Sequence, residues 1–431
     1  MTACAVEEPV TRAAAEAAGG ADEGAAGAAA GPDGPAAEDA DADTARVAPV
    51  APPMPPGPPV PPVAAGPGFV VAADGSYAAR LAGEGQARYP ERWTLDGPEP
   101  YAVPLPLEQP EEADSEVLPL ADGRVLIHRR VAGHHAFSLL YPTGTHGGPH
   151  AGPHSGPRTG QLPLGALECG RLTLLPPAPD GRSAYALAVG ERSTTVWQVA
   201  GGSFGPEWVA EVPGHCSGGV WLDREGRLLA LDRERDGRTK AVVVDLGRGG
   251  EVSPLLQITE ASDDHLLLAD PDSGLLLIRS DAPSPGEGAR LGWGVLGSSR
   301  PVRFPECLRA EGATAVPFAV QPGQMLMPES CAVALRIDEP GPGAAAGAAG
   351  IALWRPADRY VFRLGAPTGW VGTGLWSREG RLRLPYATGA VPCGVVSLGL
   401  PQGPPPPLRL DPEPAPAAAQ RPVPLQQAPL R

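Results

Sequence analysis

Between residues 67 and 412 apolar and polar positions alternate in short runs, and polar turns break these runs at regular intervals. Seven times an apolar run meets a turn ending in Gly and a second apolar run follows: ADGSYAARL, ADGRVLIHR, PDGRSAYAL, REGRLLALD, DSGLLLIRS, QPGQMLMPE and REGRLRLPY. Asp-Gly or Glu-Gly between two β-rich runs signals a tight hairpin, because Gly takes a positive φ at no steric cost. The marker glycines are Gly75, Gly123, Gly181, Gly226, Gly274, Gly323 and Gly380, spaced 48, 58, 45, 48, 49 and 57 residues apart. The two long intervals contain HGGPHAGPHSGPRTG and EPGPGAAAGAAG, whose composition belongs on surface loops. A self-similar period of this length is that of a four-stranded propeller blade.

Each repeat then offers a third strand: ERWTLDG, HAFSLLYPTG, TTVWQVAGG, KAVVVDLGRGG, LGWGVLGS, GIALWRPAD and GVVSLGLP. Four of these carry Trp (Trp93, Trp197, Trp293 and Trp354), placed to pack between neighbouring blades. Weaker outer strands are expected in FGPEWVAEVP, EVSPLLQIT and PVRFPECLRA, where prolines and charges suit an exposed edge. The sixth repeat is the least regular, since CAVALRID either extends its second strand or forms its third. The pattern thus predicts an all-β, seven-bladed β-propeller over residues 67–412, with six or eight blades as alternatives.

Outside that span the pattern vanishes. Residues 1–66 are an Ala/Gly/acidic stretch followed by VAPVAPPMPPGPPVPPV, and residues 413–431 are again rich in Pro and Ala. Both are expected to be disordered tails, because such segments bury too little apolar surface to fold. Proline-rich segments serve as linkers or dock on aromatic grooves. Gly and Pro make up 113 of the 431 residues, there is one lysine, Lys240, and asparagine is absent, a bias that GC-rich bacterial coding produces.

The fourth repeat, WLDREGRLLALDRERDGRTKAVVVDLGRGG, and the third, APDGRSAYALAVGERSTTVWQVAGG, resemble the repeat of TolB-type propellers. In that repeat an apolar strand, an Asp-Gly turn, a second strand, another polar turn and a strand ending near Asp-Leu-Gly recur. The likeness is architectural. It extends more loosely to WD-repeat propellers, whose Trp-Asp pairs are missing here. It implies a binding platform, since such propellers do not share one chemistry.

Charge and cysteine usage exclude several classes. A net charge of −15 without clustered Lys and Arg argues against nucleic acid. No apolar run is long enough for a membrane span, and the amino-terminal residues lack the basic and apolar regions of a signal peptide, so a cytoplasmic location is expected. Six scattered cysteines, with no C-x-x-C pair, read as free thiols, mostly buried.

The candidate chemistry is sparse. His146, His150 and His154 recur every four residues, but Gly and Pro between them exclude a helix. They read as a low-complexity loop, with weak Zn or Ni ligation as the alternative. GHCSG resembles a nucleophile elbow around Cys216, yet a strand and hairpin follow it instead of the helix an elbow requires. GRGG at 247–250 leads into a strand and offers no helix N-terminus to an anion. Asp223, Asp232 and Asp245 could serve two-carboxylate chemistry, but nothing singles them out. Trp221 and Trp376, on innermost strands just before a turn Gly, could instead face the channel mouth, where they are the candidate binding residues. No cofactor is expected. The leading expectation is a non-enzymatic protein-interaction scaffold using one propeller face, monomeric or not, with an unknown protein partner. A channel-centred lyase or glycosidase and a small-ligand sensor are the alternatives.

Overall fold

The computed structural model describes residues 68–85, 87–143, 158–286, 288–309, 312–323, 326–338 and 350–401. The expected tails, the boundaries at 67 and 412, and His146, His150 and His154 lie outside the described residues. Within them the fold is a propeller of seven antiparallel sheets, each a meander from the innermost strand outwards. Blade 1 comprises β1 (Phe69–Val71), β2 (Tyr77–Ala82), β3 (Tyr89–Thr94) and β4 (Tyr101–Pro104). Blade 2 is β5 (Glu116–Pro119), β6 (Val125–Val131), β7 (His134–Thr143) and β8 (Arg158–Glu168). Blade 3 is β9 (Arg171–Leu174), β10 (Ala184–Val189), β11 (Ser193–Ala200) and β12 (Glu207–Pro213). Blade 4 is β13 (His215–Trp221), β14 (Leu228–Arg235), β15 (Arg238–Asp245) and β16 (Glu251–Leu256).

Blade 5 has three strands, β17 (Asp264–Ala269), β18 (Leu275–Ser280) and β19 (Arg290–Val295). Its expected outer strand, PVRFP, shrinks to one bridge between Trp293 and Arg303, because Pro301 and Pro305 carry no N–H for a longer ladder. Blade 6 is β20 (Thr314–Val320), β21 (Val333–Asp338), β22 (Gly350–Trp354) and β23 (Phe362–Gly365). Here CAVALRID supplies the second strand itself, as β21, while residues 321–332 connect it to β20 and contain a 3-10 turn at Pro328–Ser330. Blade 7 is β24 (Leu375–Trp376), β25 (Arg381–Tyr386) and β26 (Gly394–Gly399). No helix of the described residues is long and apolar enough to cross a membrane.

Period-two alternation builds the core. On β14, Leu229 and Leu231 pack towards blade 3 with Val242 and Val244 of β15, whereas Ala230 and Ala241 face blade 5 with Leu266, Leu276 and Ile278. The second strands, such as β6, β14 and β18, are buried on both sides over most of their length, which is why these runs read as nearly continuous apolar sequence. The buried side chains form seven clusters, one at each blade interface. Trp93, Trp293 and Trp354 are buried in them as expected, and Trp197 is half-buried.

Six of the seven marker glycines take φ between +68° and +81°. Gly323 does not, and its role exposes a second requirement. A Cβ there would stand 2.4 Å from Ser273 Cβ and 2.6 Å from Asp270 Oδ2, in the turn of the preceding blade. At Gly181 a Cβ would lie 2.6 Å from Ala121 Cβ of blade 2. These turns abut around the ring, so the glycines also allow close approach.

Among the described residues the ring closes without strand exchange. Blade 1 takes all its strands from one end of the propeller and blade 7 from the other, and their seam is a packed cluster of Phe69, Ala78, Trp93 and Leu95 against Val371, Leu375, Cys393 and Val395. Arg383 of β25 pins it, donating to the Leu95 carbonyl at 2.6 Å and pairing with Asp96 at 3.4 Å.

Candidate functional site

The seven innermost strands line one central channel of about 2010 Å³. Its midsection is apolar, walled by Val70, Leu118, Leu174, Val220, Leu267 and Val320. The charged lining residues sit at the two mouths. Because each meander reverses direction at every strand, turns joining first to second and third to fourth strands share one face of the propeller. All other connections lie on the opposite face. On the first face the mouth carries Asp74, Asp270, Asp272 and Glu379 with Arg224 and Arg378; on the second it carries Arg80, Arg88 and Arg171 with Glu116. The channel is therefore acidic at one mouth and basic at the other.

Three of the four acids of the first mouth are committed to structure. Asp270 Oδ2 accepts from Ser273 N (2.9 Å), Ser273 Oγ (2.6 Å) and Gly323 N (3.0 Å), tying blade 5 to blade 6. Asp272 holds the Arg224 guanidinium of blade 4 in a bidentate pair. Asp74 closes its own turn on Ser76, at 3.0 Å to N and 2.7 Å to Oγ. Of the second mouth's residues, Arg80 is bound to buried Glu91 at 2.7 Å, and the same carboxylate oxygen accepts from Trp93 Nε1 at 2.7 Å.

Trp221 and Trp376 both line the channel, but each is mostly buried at a blade interface. Trp221 packs against Tyr185 with the rings tilted at 60° and donates from Nε1 to the Pro176 carbonyl at 3.2 Å. Trp376 packs with Ala319, Leu353, Leu382 and Leu384, and its Nε1 has no partner among the described residues. Cys216 lies within β13, so no elbow exists there, and burial pushes its thiol up to about 11. The five described cysteines are free, with Cys216 and Cys331 buried and the other three half-buried.

The three acids of the fourth blade separate in role. Asp223 accepts from Arg227 N at 2.9 Å and closes the hairpin turn. Asp245 caps the Leu246–Arg248 turn, accepting from Gly247 N at 3.0 Å, which accounts for the GRGG segment. Buried Asp232 spans to blade 5, bonding Leu266 N at 2.9 Å and His265 Nδ1 at 3.0 Å. Among the described residues no group of three or more His, Cys, Asp or Glu could hold a metal ion.

Two features escaped sequence reasoning. In blade 2, Glu116, His128 and His135 form a hydrogen-bonded chain running from the channel wall into the blade. Its signal was the Ala132-Gly133 turn: both residues have positive φ (49° and 86°), the two-residue hairpin geometry that sets the β6–β7 register and makes His128 and His135 diagonal neighbours. The second is the turn between β11 and β12. Phe204 is 97% exposed and Trp208 57% exposed, and the turn is held in place rather than left loose. Glu207 Oε1 accepts from Ser203 N at 2.8 Å and Phe204 N at 3.4 Å, while Pro206 and Gly205 lie against Gly165 and Leu164 of the neighbouring blade.

No protein-family model matches the chain, and no curated protein matches it. Solved structures similar to it are propeller proteins. TolB from Acinetobacter baumannii is 12% identical, with 77% of this chain and 82% of that one covered at a TM-score of 0.38. Oligogalacturonate lyase from Vibrio parahaemolyticus is 12% identical over 78% of this chain and 86% of the other, at a TM-score of 0.41. Prolyl oligopeptidase B from Galerina marginata is 11% identical over 76% of this chain and 47% of the other, at a TM-score of 0.46. The chain thus spans about half the length of that oligopeptidase. The likeness is one of fold alone.

Proposed function

We propose that this chain is a non-enzymatic protein-interaction scaffold that engages its partner through the face bearing the first-to-second and third-to-fourth turns. The observation that carries the reading is Phe204, fully exposed yet rigidly presented on that face, with Trp208 beside it on β12. Exposing a Phe ring forgoes about 1.5–3 kcal/mol of burial. A turn fixed by two bonds to Glu207 and by contact with blade 2 offers such a ring with little ordering cost on binding. The channel supports the non-enzymatic side of the reading, for its midsection is apolar and two acids of its first mouth, Asp270 and Asp272, already tie neighbouring turns together.

The test is affinity capture from native lysate with the intact chain and with a Phe204→Ala/Trp208→Ala variant whose circular dichroism matches it. Aromatic anchors of this kind contribute roughly 2 kcal/mol each, so loss of both should weaken binding by up to about a thousandfold. A stoichiometric partner kept by the intact chain and lost by the variant is expected. Equal retention on both, or no stoichiometric protein on either, overturns the reading.

A further inference from the structure

The chain of polar groups in blade 2 has a hydrogen count that its own residues do not meet. Glu116 stands on β5 at the second channel mouth with its side chain 41% exposed, directly opposite His128 of β6. His128 Nδ1 lies 2.9 Å from Glu116 Oε2, and His128 Nε2 lies 2.8 Å from His135 Nδ1. His135 Nε2 ends the chain 3.2 Å from the Cys169 carbonyl. Both histidines are 4% exposed, and their rings stack with centroids 5.0 Å apart.

The directions follow from the ends. A carbonyl only accepts, so His135 Nε2 carries a hydrogen. Burial, then the neighbouring His128, hold His135 below its ordinary pKa, so it is the neutral ring, and its Nδ1 accepts from His128 Nε2. The remaining contact joins His128 Nδ1 to a carboxylate oxygen, which also only accepts. Three hydrogen bonds in series between two acceptors need three hydrogens. Two neutral imidazoles bring two.

We propose that Glu116, His128 and His135 form a proton-binding site in the channel wall, holding between Glu116 and His128 one proton more than two neutral imidazoles and a carboxylate supply. Without it every tautomer choice sets two lone pairs against each other and breaks one of the three bonds. The groups facing the chain place the charge. Arg130 of β6, paired across the hairpin with His135, opposes a cation on that ring, and burial keeps the Cys169 thiol protonated. Arg129 is already held by Glu111 at 2.7 and 2.8 Å. The extra proton therefore resides at the Glu116 end. While it is bound, the charge of Glu116 is cancelled and Arg80, Arg88 and Arg171 set the sign of the second mouth. Its release adds a negative charge there and loosens the blade.

Nuclear magnetic resonance of the labelled whole chain at pH 7 tests this directly. Histidine ring 15N shifts should show His135 protonated at Nε2 only. They should also show either both nitrogens of His128 protonated or, by its carboxyl 13C shift, Glu116 in the acid form. A singly protonated His128 beside an ionised Glu116 overturns the proposal. Glu116→Gln supplies an amide N–H to His128 Nδ1 and completes three bonds with no added proton. In that folded variant His128 should carry one hydrogen, at Nε2, and persistence of a doubly protonated ring overturns the proposal as well.

Discussion

Lys240→Met isolates what the chain's only lysine does. Its ammonium sits among four oxygens: Thr259 O at 2.5 Å, Ser262 O at 2.6 Å, Asp264 Oδ2 at 2.8 Å and Ser262 Oγ at 3.2 Å. A compact ammonium suits such a cage and a planar guanidinium does not, which gives a reason for lysine in a chain that otherwise uses arginine. Asp264 is 0% exposed. Burial works to raise its carboxyl, but Lys240, Ser280, the Ile258 N–H and Ser262 together hold it below its ordinary 3.8. Removing one partner of a buried pair costs roughly 3–5 kcal/mol. Ser262, Ser280 and Ile258 still donate to Asp264 afterwards, so the lower end applies, about 3 kcal/mol. With unfolding entropy of roughly 2.1 cal/mol/K per residue over the propeller, the melting temperature should fall by about 4 °C. Because the folded carboxyl is depressed, the stabilisation it gives is present above the unfolded value and lost as pH falls through the folded one. The variant should therefore lose stability at pH 7 and converge on the parent in acid. Calorimetry from pH 2.5 to 7 reads both effects. A pH 7 loss below about 1 kcal/mol, the worth of an exposed pair, or a loss that grows in acid, refutes the reasoning.

Three further outcomes are expected. Arg383→Ala should destabilise the seam by about 1–3 kcal/mol, through the lost charge-assisted bond to the Leu95 carbonyl, and speed hydrogen exchange in blades 1 and 7 before the others. Cys216, with its thiol pushed up to about 11, should be about 0.1% thiolate at pH 8 and react with a thiol reagent only on unfolding. Trp376→Phe should cost less than Trp221→Phe by about 1 kcal/mol in denaturant melts, because only Trp221 forfeits an indole bond, to Pro176.

The fold was legible because each blade repeats one steric demand at one place. The turn glycines must accept positive φ, abut the preceding blade, or both, so seven of them survive in a composition otherwise blurred by codon bias. The errors fell where local chemistry departs from the repeat. QMLM beside Gly323 has strand-like composition, yet the run of Val333–Asp338 has the better alternation and takes the ladder position. PVRFP lacks the donors its strand position needs. The sites were far less visible. FGPEWVAEVP was legible as an outer strand, but exposure of Phe204 depends on Glu207 folding back onto the turn, which no periodicity records. Glu116, His128 and His135 are separated by 12 and 7 residues and meet only once two strand registers are fixed. Trp221 and Trp376 lie on innermost strands as expected, while their burial at blade interfaces is set by partners on the preceding blade.

This division has a mechanical cause. Alternate positions along the inner strands face opposite neighbours, so one residue set fills one interface and the other set fills the next, leaving no free face on a blade. Interface side chains such as Leu229, Ala230 and Trp354 can change stability and little else. Variation that alters what the protein recognises has two places to go, the turns on the two faces and the inward edges that line the channel. Phe204 with Trp208 occupies the first, and Glu116, backed by buried His128, the second. The closure of the ring adds a constraint: with no strand shared between blades 1 and 7 among the described residues, the seam rests on side chains packed around Trp93 and on Arg383. Binding that pries the channel open should therefore separate this seam first, whereas binding at the blade 3 turn should leave it untouched. A hydrogen-exchange comparison of free and partner-bound chain distinguishes the two, and protection confined to residues 201–213 without change in β1 or β26 is the pattern that engagement through Phe204 requires.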